Sequence, residues 1–316
     1  MRTDIVTVTL NPTVDFATSS PHVFAEHKLR CTEPHIDPGG GGINVARAVR
    51  QLGGQATAMI AIGGGAGAQL LQLLALEGVP TVAFQGPGES RLSFSVTDQQ
   101  TMEQYRFVMP GPIWAEADVE RGLNSIDQAA GDGTLVVLSG SQPPGVAKEF
   151  PSILAQHLDG RGARLIVDTS GPALFNLVRG SYEAIHVLRM DDVEAEELAG
   201  RSLTTREDTA AFARELVTRG SARIVIIARG ADGSVLATET EAWHAVSPKV
   251  DVISKVGAGD SFVGAFSLAL ARGETLPSCL RFGVAAAAAA CTTEGTRLCE
   301  IETVDTLLPL CTLGRV

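Results

Sequence analysis

Six short apolar runs constrain the fold of this 316-residue chain more than any other feature. They read DIVTVTL, ATAMIAIG, TLVVLSG, ARLIVDTS, AIHVLR and ARIVIIARG. They lack the polar–apolar alternation of a half-exposed strand, so each predicts a parallel strand that is buried on both faces. Helical patterns lie between most of these runs, and strands that alternate with helices predict right-handed crossovers. The sequence therefore predicts a three-layer α/β sandwich.

Two of the intervening segments show the helical pattern clearly. GINVARAVRQLGG places Ile43, Ala46 and Val49 on one face and ends in glycine. TTREDTAAFARELVTRG opens with the capping-box spacing of Thr204 and Glu207 and also closes with glycine. Both segments therefore predict helices that pack one side against the sheet.

Two regions, residues 14–37 and 90–109, interrupt this alternation. In the second region Leu92, Phe94 and Val96 alternate with polar residues, and two aromatic residues follow a polar turn, which is the pattern of a hairpin. Two antiparallel excursions of this kind predict a small β-sheet over one edge of the core. No Pro/Gly-rich linker divides the chain, so we expect a single domain across all 316 residues with this sheet as a lid.

The composition excludes several classes of protein. Apolar residues make up 45% of the chain, and the excess of 36 acidic over 25 basic residues gives a formal charge of −11. A field of this sign repels nucleic acid and anionic membranes, so we expect neither as a partner. The five cysteines form no C-x-x-C pair, which argues against a zinc site or a disulfide framework and fits a reducing compartment. With no signal peptide or apolar span in the sequence, we expect a cytoplasmic protein.

The segment KVGAGDSFVG at residues 255–264 carries the strongest chemical signal. Apolar residues recur at four-residue spacing after it, so a helix is expected to begin at or near Gly257. The first amides of a helix have no partner within the helix and attract anions. Asp260 would lie in the first turn, where it could accept a proton from a hydroxyl while the amides of Gly257, Ala258 and Gly259 stabilise a transferring phosphoryl group. A structural helix cap is the alternative interpretation.

A second glycine cluster, PGGGGINVAR at residues 38–47, also leads into a predicted helix. Four consecutive glycines exceed the needs of a turn and favour a backbone that approaches a ligand closely, although a flexible hinge is the alternative. Asn44 follows the cluster and could donate and accept hydrogen bonds with hydroxyl groups.

Charged residues near the predicted lid complete the candidate site. Lys28 and Arg30 are two residues apart and would share one face of a strand, and Arg91 opens the other lid segment. Three converging cations would suit a phosphate monoester, although each alone is a common surface charge. Asp15 lies just after the first strand, where open α/β sheets bind ligands, and could accept hydrogen bonds from sugar hydroxyls.

One further motif has the form of a dinucleotide site. AIGGGAGAQLL fits G-x-G-x-x-A between a strand and a helix. That fingerprint expects an acidic residue about 20 positions later, at the end of a second strand. The strand in VPTVAFQGPG ends without one, so the sequence argues against a nicotinamide enzyme.

Asp15, the glycine cluster with Asn44 and the late GAGDSF together resemble the ribokinase-like carbohydrate kinases, also called the PfkB family. The resemblance extends from residue 5 to about residue 299. The phrases KLRCTEP, PGGGGINVARAV, EQYRFVMPG and SGSQPPGV are most similar to members that phosphorylate fructose 6-phosphate. Members that act on fructose 1-phosphate or tagatose 6-phosphate usually carry a lysine inside the glycine cluster, where this chain has glycine.

The resemblance implies a Rossmann-like sandwich with a β-lid and transfer of the γ-phosphoryl group of Mg²⁺-bound ATP to the 1-hydroxyl of fructose 6-phosphate. It implies that Asp260 is the base and that the GAG amides form the anion hole. The sugar would be held by Asp15, Gly40, Gly41 and Asn44, and its phosphate by Lys28, Arg30, Arg91 and Ser141. Lys28 could also contact the nucleotide. Because lid sheets of relatives pair between two subunits, the resemblance also implies a homodimer.

The nucleotide side departs from the family pattern. Relatives usually have Lys-Pro-Asn with a glutamate three residues after the asparagine, whereas this chain has RMDDVE. Arg189 stands at the lysine position, Asp191 stands at the asparagine position, and Glu194 keeps the glutamate that orients Mg²⁺. The added charge of Asp191 could strengthen metal binding or repel the nucleotide.

Three further positions differ on the same side. Ala228 stands where a serine or threonine commonly contacts phosphate, although Gly230 and Gly233 remain. Lys255 occupies the usual threonine position beside the anion hole. Relatives often hold a monovalent cation between this loop and the EGTR segment, and Thr293 stands there in place of an asparagine.

These differences leave three interpretations open. The chain could be a fructose 6-phosphate kinase with rebalanced nucleotide contacts, a kinase with another phosphoryl donor, or a sugar-phosphate-binding regulator with weak or no activity. Tagatose 6-phosphate and fructose 1-phosphate also remain open as substrates, because residue types alone do not decide between such similar molecules.

Overall fold

The computed structural model describes residues 4–180, 185–294 and 297–316. These residues form fourteen strands in two sheets. In chain order the strands are β1 (Ile5–Thr9), β2 (Thr13–Ser20), β3 (His35–Gly39), β4 (Thr57–Ile62), β5 (Thr81–Gln85), β6 (Arg91–Asp98), β7 (Gln104–Val108), β8 (Leu135–Ser139), β9 (Arg164–Asp168), β10 (Ile185–Met190), β11 (Ile224–Ala228), β12 (Ser234–Ala237), β13 (Ala242–Val246) and β14 (Thr312–Arg315).

The same residues form ten α-helices and two short 3₁₀ turns. In chain order the helices are α1 (Gly41–Gln51), α2 (Gly64–Leu76), α3 (Glu116–Ala129), α4 (Phe150–Asp159), α5 (Gly171–Arg179), α6 (Asp192–Ala199), α7 (Arg206–Arg219), α8 (Ala258–Ala271), α9 (Leu276–Cys291) and α10 (Ile301–Leu307). None of the helices in the described ranges combines the length and apolar character that a membrane crossing requires.

The large sheet has the order β14-β13-β12-β11-β10-β9-β8-β1-β4-β5. The strands from β5 to β11 in this order are parallel, and β12, β13 and β14 add to one end as antiparallel strands. All six apolar runs of the sequence lie in the parallel part, as predicted. Their side chains are mostly buried because helices cover both faces of the sheet.

Two hydrophobic cores flank the large sheet. One core lies between the sheet and helices α1, α2, α8, α9 and α10. The other lies between the opposite face and helices α3 to α7. This is the three-layer sandwich that the alternating pattern of the sequence predicts.

The second sheet is the predicted lid and has the order β3-β2-β6-β7. Each of its two hairpins is antiparallel, and the parallel pairing of β2 with β6 joins them over eight residue pairs. Strand β3 continues to Gly39, two residues beyond the predicted lid boundary, so the lid leads directly into the glycine cluster.

A buried carboxylate connects the two halves of the lid. Asp98, at the end of β6, accepts hydrogen bonds from the Nδ1 atom of His22 and the backbone amide of Val23, both at 2.8 Å. It also accepts the amides of Gln100 and Thr101 in the turn before β7. These backbone donors hold the pKa of Asp98 well below its usual range, so the carboxylate stays charged and fixes the loop after β2 to the second hairpin.

The lid has one polar and one apolar face, because successive side chains of a strand point in opposite directions. Asp15 lies opposite Ser93 on the polar face. Phe16, Phe94 and Phe107 align across three strands on the other face, and the rings of Phe16 and Phe94 stack with centroids 5.2 Å apart. Phe107 remains 50% exposed, so part of the apolar face is open in this chain.

The start of helix α7 differs from the prediction by one residue. Thr205, not Thr204, is the N-cap, and its side chain accepts the amide of Asp208 at 3.0 Å. The Asp208 carboxylate in turn accepts the amide of Thr205 at 3.1 Å. The capping box therefore pairs Thr205 with Asp208 instead of Thr204 with Glu207. Both pairs fit the i, i+3 spacing, so the spacing alone does not choose between them.

Helices α1 and α8 approach each other closely at Gly264. A Cβ atom at Gly264 would lie 2.8 Å from the Cβ of Ala48 and 3.1 Å from the backbone oxygen of Val45. One turn earlier on each helix lie Asp260 and Asn44, so this contact sets the distance between two of the predicted site residues.

We expect Gly264→Ala to lower the free energy of unfolding by up to about 2 kcal/mol. The gain of roughly 1 kcal/mol in helix propensity is outweighed by about 1–3 kcal/mol of overpacking against α1. Urea denaturation measures the difference. Gly131→Ala is the control, since a Cβ at Gly131 meets no atom within 4 Å. Equal stability of the two variants would show that the α1–α8 contact tolerates a methyl group.

Candidate active site

A cavity of about 390 Å³ lies between the polar face of the lid and the start of helix α8. It is lined by seven residues that the sequence predicts for the site: Asp15, Gly40, Asn44, Arg91, Lys255, Gly257 and Asp260. It is also lined by polar lid residues that the sequence argument does not include, namely Ser93, Gln104 and Arg106. The structure therefore brings the early acid, the glycine cluster and the GAGD segment together around one space.

Helix α8 begins inside this cavity, as the sequence predicts. Gly257 is the N-cap with a φ of 78°, and a Cβ there would lie 2.7 Å from a methyl carbon of Leu298, so only glycine fits. The amide of Ala258 makes a long hydrogen bond of 3.4 Å to the backbone oxygen of Lys255. The first turn carries no basic residue, and its amides point toward the space where an anion would lie.

Asp260 is partly buried in the first turn of α8 and accepts a hydrogen bond of 2.9 Å from Nδ2 of Asn44. Burial raises the pKa of Asp260 to about 7, and the carboxylate of Asp168 adds to the rise. The hydrogen bond from Asn44 and the charges of Arg189 and Arg47 oppose it. A carboxylate with a pKa near neutrality is suited to accept a proton at physiological pH.

The glycine cluster owes its composition mainly to packing within the protein. A Cβ at Gly41 would lie 2.4 Å from Oγ of Ser139, and one at Gly42 would lie 2.6 Å from the backbone oxygen of Val8. Gly40 has a φ of 122° and also lines the cavity. These glycines seat the start of α1 on the ends of β1 and β8. Close approach to a ligand, which the sequence suggests, therefore concerns Gly40 more than its neighbours.

Two of the predicted cations do not join the cavity. Lys28 and Arg30 lie in the exposed loop between β2 and β3, not on a strand, so the expectation that they share a strand face is wrong. Neither residue lines the cavity in the described chain. The i, i+2 spacing of the two cations indicates a shared face only within a strand, and the polar residues of this loop lack the alternation of a strand.

Arg91 and Ser141 are linked through Asn11. Nε of Arg91 donates to the backbone oxygen of Asn11 at 3.1 Å, and Nδ2 of Asn11 lies 3.4 Å from Oγ of Ser141. Ser141 follows β8 and is exposed, and it does not line the cavity itself. Asn11 is part of the TLNP segment, and its position after the first strand was a signal that sequence reasoning could have used.

Asp15 lies on β2 at the opposite wall of the cavity from α8. Burial raises the pKa of Asp15, hydrogen bonding from Thr13 and the charge of Arg91 lower it, and Asp37 on the paired strand raises it. A Cβ at Gly39 would lie 2.0 Å from Oδ2 of Asp15, so the glycine makes room for this carboxylate. Its oxygens are therefore placed to accept hydrogen bonds from polar groups in the cavity.

Arg189 and Asp168 form an ion pair beside the start of α8. They lie opposite each other at the ends of β10 and β9, and Nη1 of Arg189 donates to Oδ1 of Asp168 at 3.1 Å. A Cβ at Gly259 would lie 3.3 Å from both terminal nitrogens of Arg189, so the guanidinium borders the predicted anion hole. Sequence reasoning missed Asp168, although an acid that ends a buried parallel strand is the same signal that identified Asp15.

Asp191 and Glu194 form a reciprocal cap at the start of helix α6. Oδ1 of Asp191 accepts the amide of Glu194 at 2.8 Å, and Oε2 of Glu194 accepts the amide of Asp191 at 3.0 Å. Aspartate and asparagine are equally good N-caps, so the difference from the family pattern leaves the helix start intact. Burial raises the pKa of Glu194, and the nearby carboxylates of Asp191 and Asp168 add to the rise.

The family resemblance implies metal binding at Asp191 and Glu194. Within the described ranges no three His, Cys, Asp or Glu side chains converge in an arrangement that holds a metal ion by itself. Mg²⁺ at kinase sites is commonly held by one or two carboxylates together with substrate phosphates and water, and this pair of oxygen donors fits that requirement.

The remaining nucleotide-side residues follow β11. Ala228 ends the strand, and Gly230 has a φ of 54° in a 3₁₀ turn whose neighbour is Asp192 of α6. Gly233 has a structural reason to be glycine, because a Cβ would lie 1.9 Å from the backbone oxygen of Ala245. Lys255 is exposed at the rim of the cavity.

The structure bears on two other signals in the sequence. At the dinucleotide-like motif, Oε1 of Glu89 accepts the amide of Ala66 at 2.6 Å, so a carboxylate of the protein itself lies at the start of α2.

The predicted cation site near Thr293 is described only in part, because Gly295 and Thr296 lie outside the described residues. The Thr293 hydroxyl lies 2.9 Å from the backbone oxygens of Ala290 and Arg297.

Known proteins of similar sequence form a coherent group. The model of the pfkB family of carbohydrate kinases matches residues 3–303. The ATP-dependent 6-phosphofructokinase isozyme 2 of Escherichia coli K12 is 42% identical over 296 residues, which are 94% of this chain and 95% of the relative. The isozyme 2 of Mycobacterium tuberculosis H37Rv is 39% identical over 306 residues, 97% of this chain and 89% of the relative. The 1-phosphofructokinase of Bacillus subtilis is 28% identical over 305 residues, 96% of this chain and 97% of the relative.

Solved structures agree with the sequence comparison. The crystal structure of phosphofructokinase-2 from E. coli in complex with substrates and products has a TM-score of 0.89 and 39% identity, covering 97% of this chain and 99% of that one. A tetrameric inhibited form of the same enzyme has a TM-score of 0.89 and 38% identity, covering 98% and 99%. The chain therefore belongs to the pfkB family of carbohydrate kinases and is a phosphotransferase that acts on sugar phosphates.

Proposed function

We propose that this protein transfers the γ-phosphoryl group of ATP to the 1-hydroxyl of fructose 6-phosphate and releases fructose 1,6-bisphosphate and ADP. The observation that carries the proposal is the position of Asp260. This carboxylate has a pKa raised to about 7, and it lies at the start of a helix in a cavity lined by sugar-binding types of side chain. A base and an anion site next to each other are what phosphoryl transfer to a hydroxyl requires.

The sugar would lie between the lid and α8. Asp15 and Asn44 both line the cavity and offer hydrogen-bond acceptors and donors to the hydroxyls. Arg91 and Arg106, both on the lid face of the cavity, supply positive charge for the 6-phosphate. The exposed loop with Lys28 and Arg30 would add further charge if it moves toward the cavity when substrate or a second subunit binds.

The reacting hydroxyl would lie against Asp260. The carboxylate orients the hydroxyl and accepts its proton as the oxygen attacks the γ-phosphorus atom. The amides at the start of α8 and the guanidinium of Arg189 stabilise the negative charge on the transferring group. Asp168 holds Arg189 in place, so that it borders Gly259 and does not pair with Asp260.

The nucleotide would lie along the ends of β10 and β11. We place its phosphates near Arg189, Lys255 and the turn at Gly230, with Ala228 and Gly233 forming the adjoining backbone. Asp191 and Glu194 would hold Mg²⁺, which supplies positive charge to the phosphates when bound. A monovalent cation near Thr293 is part of the same proposal.

Two observations favour fructose 6-phosphate over the related substrates. The relatives named 6-phosphofructokinase are 39–42% identical to this chain, whereas those named 1-phosphofructokinase are 28–29% identical. The glycine cluster also lacks the lysine that is usual in relatives that act on fructose 1-phosphate or tagatose 6-phosphate. In this chain Gly40 lines the cavity and Gly41 packs against the end of β8. Tagatose 6-phosphate differs at one hydroxyl and belongs in the same assay.

We propose in addition that the chain forms one ribokinase-like domain whose lid pairs with that of a second copy. The apolar face of the lid carries Tyr105 at 37% and Phe107 at 50% exposure. An exposed aromatic face on a small sheet is a typical dimerisation surface, because pairing removes it from water.

Replacement of the proposed base tests the reaction. We expect Asp260→Asn to lower kcat with ATP and fructose 6-phosphate by about 10²–10⁴-fold, the usual contribution of a general base. In the unmodified protein kcat/KM should rise with pH through about 7 and then level off, because the carboxylate is the active form and its pKa is raised to about 7. The Asn variant should lack this rise.

The substrate phosphate also titrates near neutral pH. Its effect on binding is measured separately by calorimetric titration of the protein with fructose 6-phosphate at each pH. The Asn variant should also unfold at no lower temperature at pH 8, since a carboxylate with a raised pKa contributes less stability once it ionises. Binding of the sugar phosphate without turnover of ATP, GTP or pyrophosphate in the unmodified protein would refute the kinase and favour the regulator.

A second substitution tests the metal assignment. Asp191→Asn keeps an N-cap of equal strength, so the thermal midpoint should stay unchanged. The loss of one carboxylate should raise the Mg²⁺ concentration for half-maximal rate several-fold. Asp192→Asn is the matched control, because it changes an adjacent exposed acid in the same helical turn. An identical Mg²⁺ dependence of all three proteins would exclude Asp191 as a metal ligand.

The dimer is tested by charge on the apolar lid face. We expect Phe107→Asp to convert a dimer into a monomer at micromolar concentration in analytical ultracentrifugation. Leu310→Asp is the control, because Leu310 is similarly exposed at 60% but lies far along the chain in the turn before β14. A monomeric unmodified protein, or a Phe107 variant that remains a dimer, would contradict the lid interface.

A further inference from the structure

Arg47 is a buried cation that the proposed reaction does not use directly. It lies on α1 with only 6% of its surface exposed. Its Nε and Nη2 atoms donate to the two carboxylate oxygens of Glu77 at 2.6 and 2.8 Å, a bidentate pair. Nη2 also lies 3.6 Å from Oδ1 of Asp37 on β3. A buried arginine requires such partners, so these contacts explain how its charge is tolerated.

The remaining nitrogen of this guanidinium points toward the active site. Nη1 of Arg47 donates to Oδ1 of Asn44 at 3.3 Å, one turn earlier on the same helix. Asn44 in turn donates from Nδ2 to Oδ2 of Asp260 at 2.9 Å. A continuous chain of hydrogen bonds therefore runs from Glu77, at the end of α2, to the proposed base at the start of α8.

The chemistry of arginine decides how the Asn44 amide is oriented. Arginine has only donors, so the atom of Asn44 that faces Arg47 must be the oxygen. The nitrogen must then face Asp260, and its second hydrogen remains for a sugar hydroxyl. Without Arg47 only Asp260 would orient the amide, which could then rotate away or turn over whenever that carboxyl is protonated.

We propose that Arg47 is a positioning residue for the kinase reaction, because it holds the amide of Asn44 in the orientation that donates to Asp260. This inference rests on the proposed function of Asp260 as the base. The bidentate pair with Glu77 fixes the plane of the guanidinium. Nη1 is thereby held where it donates to the side-chain oxygen of Asn44. Arg47 does not line the cavity of the proposed site, so its effect would reach the reaction through Asn44.

Several charges act on Asp260 besides this chain of hydrogen bonds. The pKa of Asp260 is shifted by Asp168 on β9, Arg189 on β10 and Arg47 on α1, and the same cavity is also lined by Asp15 on β2 and Lys255 before α8. Of these, Arg47 and Arg189 lower the pKa of Asp260, and Arg47 also sustains the donor from Asn44. Loss of Arg47 should therefore shift the rise of kcat/KM to higher pH.

The experiment compares Arg47→Lys and Arg47→Met with Glu77→Gln. Lysine has one donor group and cannot bridge Glu77 and Asn44 in a plane, so kcat should fall about 10-fold; methionine has no donor, and kcat should fall about 100-fold. Both variants should shift the rise in the pH profile upward and change KM for fructose 6-phosphate less than kcat. Glu77→Gln weakens the ion pair but leaves the bond to Asn44, so its pH profile should match that of the unmodified protein.

Two additions separate positioning from stability. The paired variant Arg47→Met/Glu77→Leu removes both charges, which often preserves folding, and should show the same loss of kcat. In an Asn44→Ala background, Arg47→Met should have no further effect on kcat, because the residue it orients is gone. Thermal unfolding of every variant shows whether activity follows stability.

The inference fails if Glu77→Gln loses as much kcat as Arg47→Met, or if the effects of Arg47 and Asn44 are additive. A loss of activity that parallels thermal stability across the series would also overturn it, since Arg47 would then be structural. These outcomes differ from failure of the proposed function, in which Asp260→Asn itself would retain turnover and the pH-dependent rise.

Discussion

The site depends on the close contact between helices α1 and α8. Gly264 allows the two backbones to meet, and the glycines before Asn44 allow α1 to sit against the ends of β1 and β8. Both helices are held against the same sheet. The side chains of Asn44 and Asp260, one turn before the contact, therefore lie within hydrogen-bond distance of each other. The geometry of the proposed base is thus fixed by small residues that allow the backbones to pack closely.

Charge in the site is arranged around two arginines that are each tied to a carboxylate. Arg189 pairs with Asp168 across neighbouring strand ends, and Arg47 pairs with Glu77 between two helices. Each guanidinium has nitrogens left over, which face the anion hole in one case and Asn44 in the other. Such pairs contribute little net stability when buried, so their value lies in the orientation that they give to neighbouring groups.

Much of the fold could be predicted from the sequence because its strands are buried on both faces. The six apolar runs are mostly apolar on both faces, and a central parallel sheet covered by helices buries both faces. The start of α8 at Gly257 and the gathering of Asp15, Asn44 and Asp260 followed from the rule that strand ends and helix starts form ligand sites. These features depend on local pattern, which a single sequence contains.

What could not be predicted depends on contacts between distant segments. In the sequence Arg47 is one basic residue of a predicted amphipathic helix. Its contact with Glu77 forms only in the folded protein. The reason for Gly41 and Gly42 is the backbone and side chains of β1 and β8, which the sequence shows only as separate strands. The spacing of Lys28 and Arg30 suggested a shared strand face, but an unpaired loop imposes no such alternation.

The contacts of the residues on the nucleotide side help to decide between the three interpretations of this chain. Two of the residues that depart from the family pattern, Asp191 and Arg189, make specific side-chain contacts. Asp191 caps α6 in a reciprocal pair with Glu194, and Arg189 is held by Asp168 beside the start of α8. Substitutions that accumulate without selection do not preserve paired geometry of this kind, because each partner would be free to change alone. The contacts therefore favour a kinase with rebalanced nucleotide contacts over a protein that has lost catalysis.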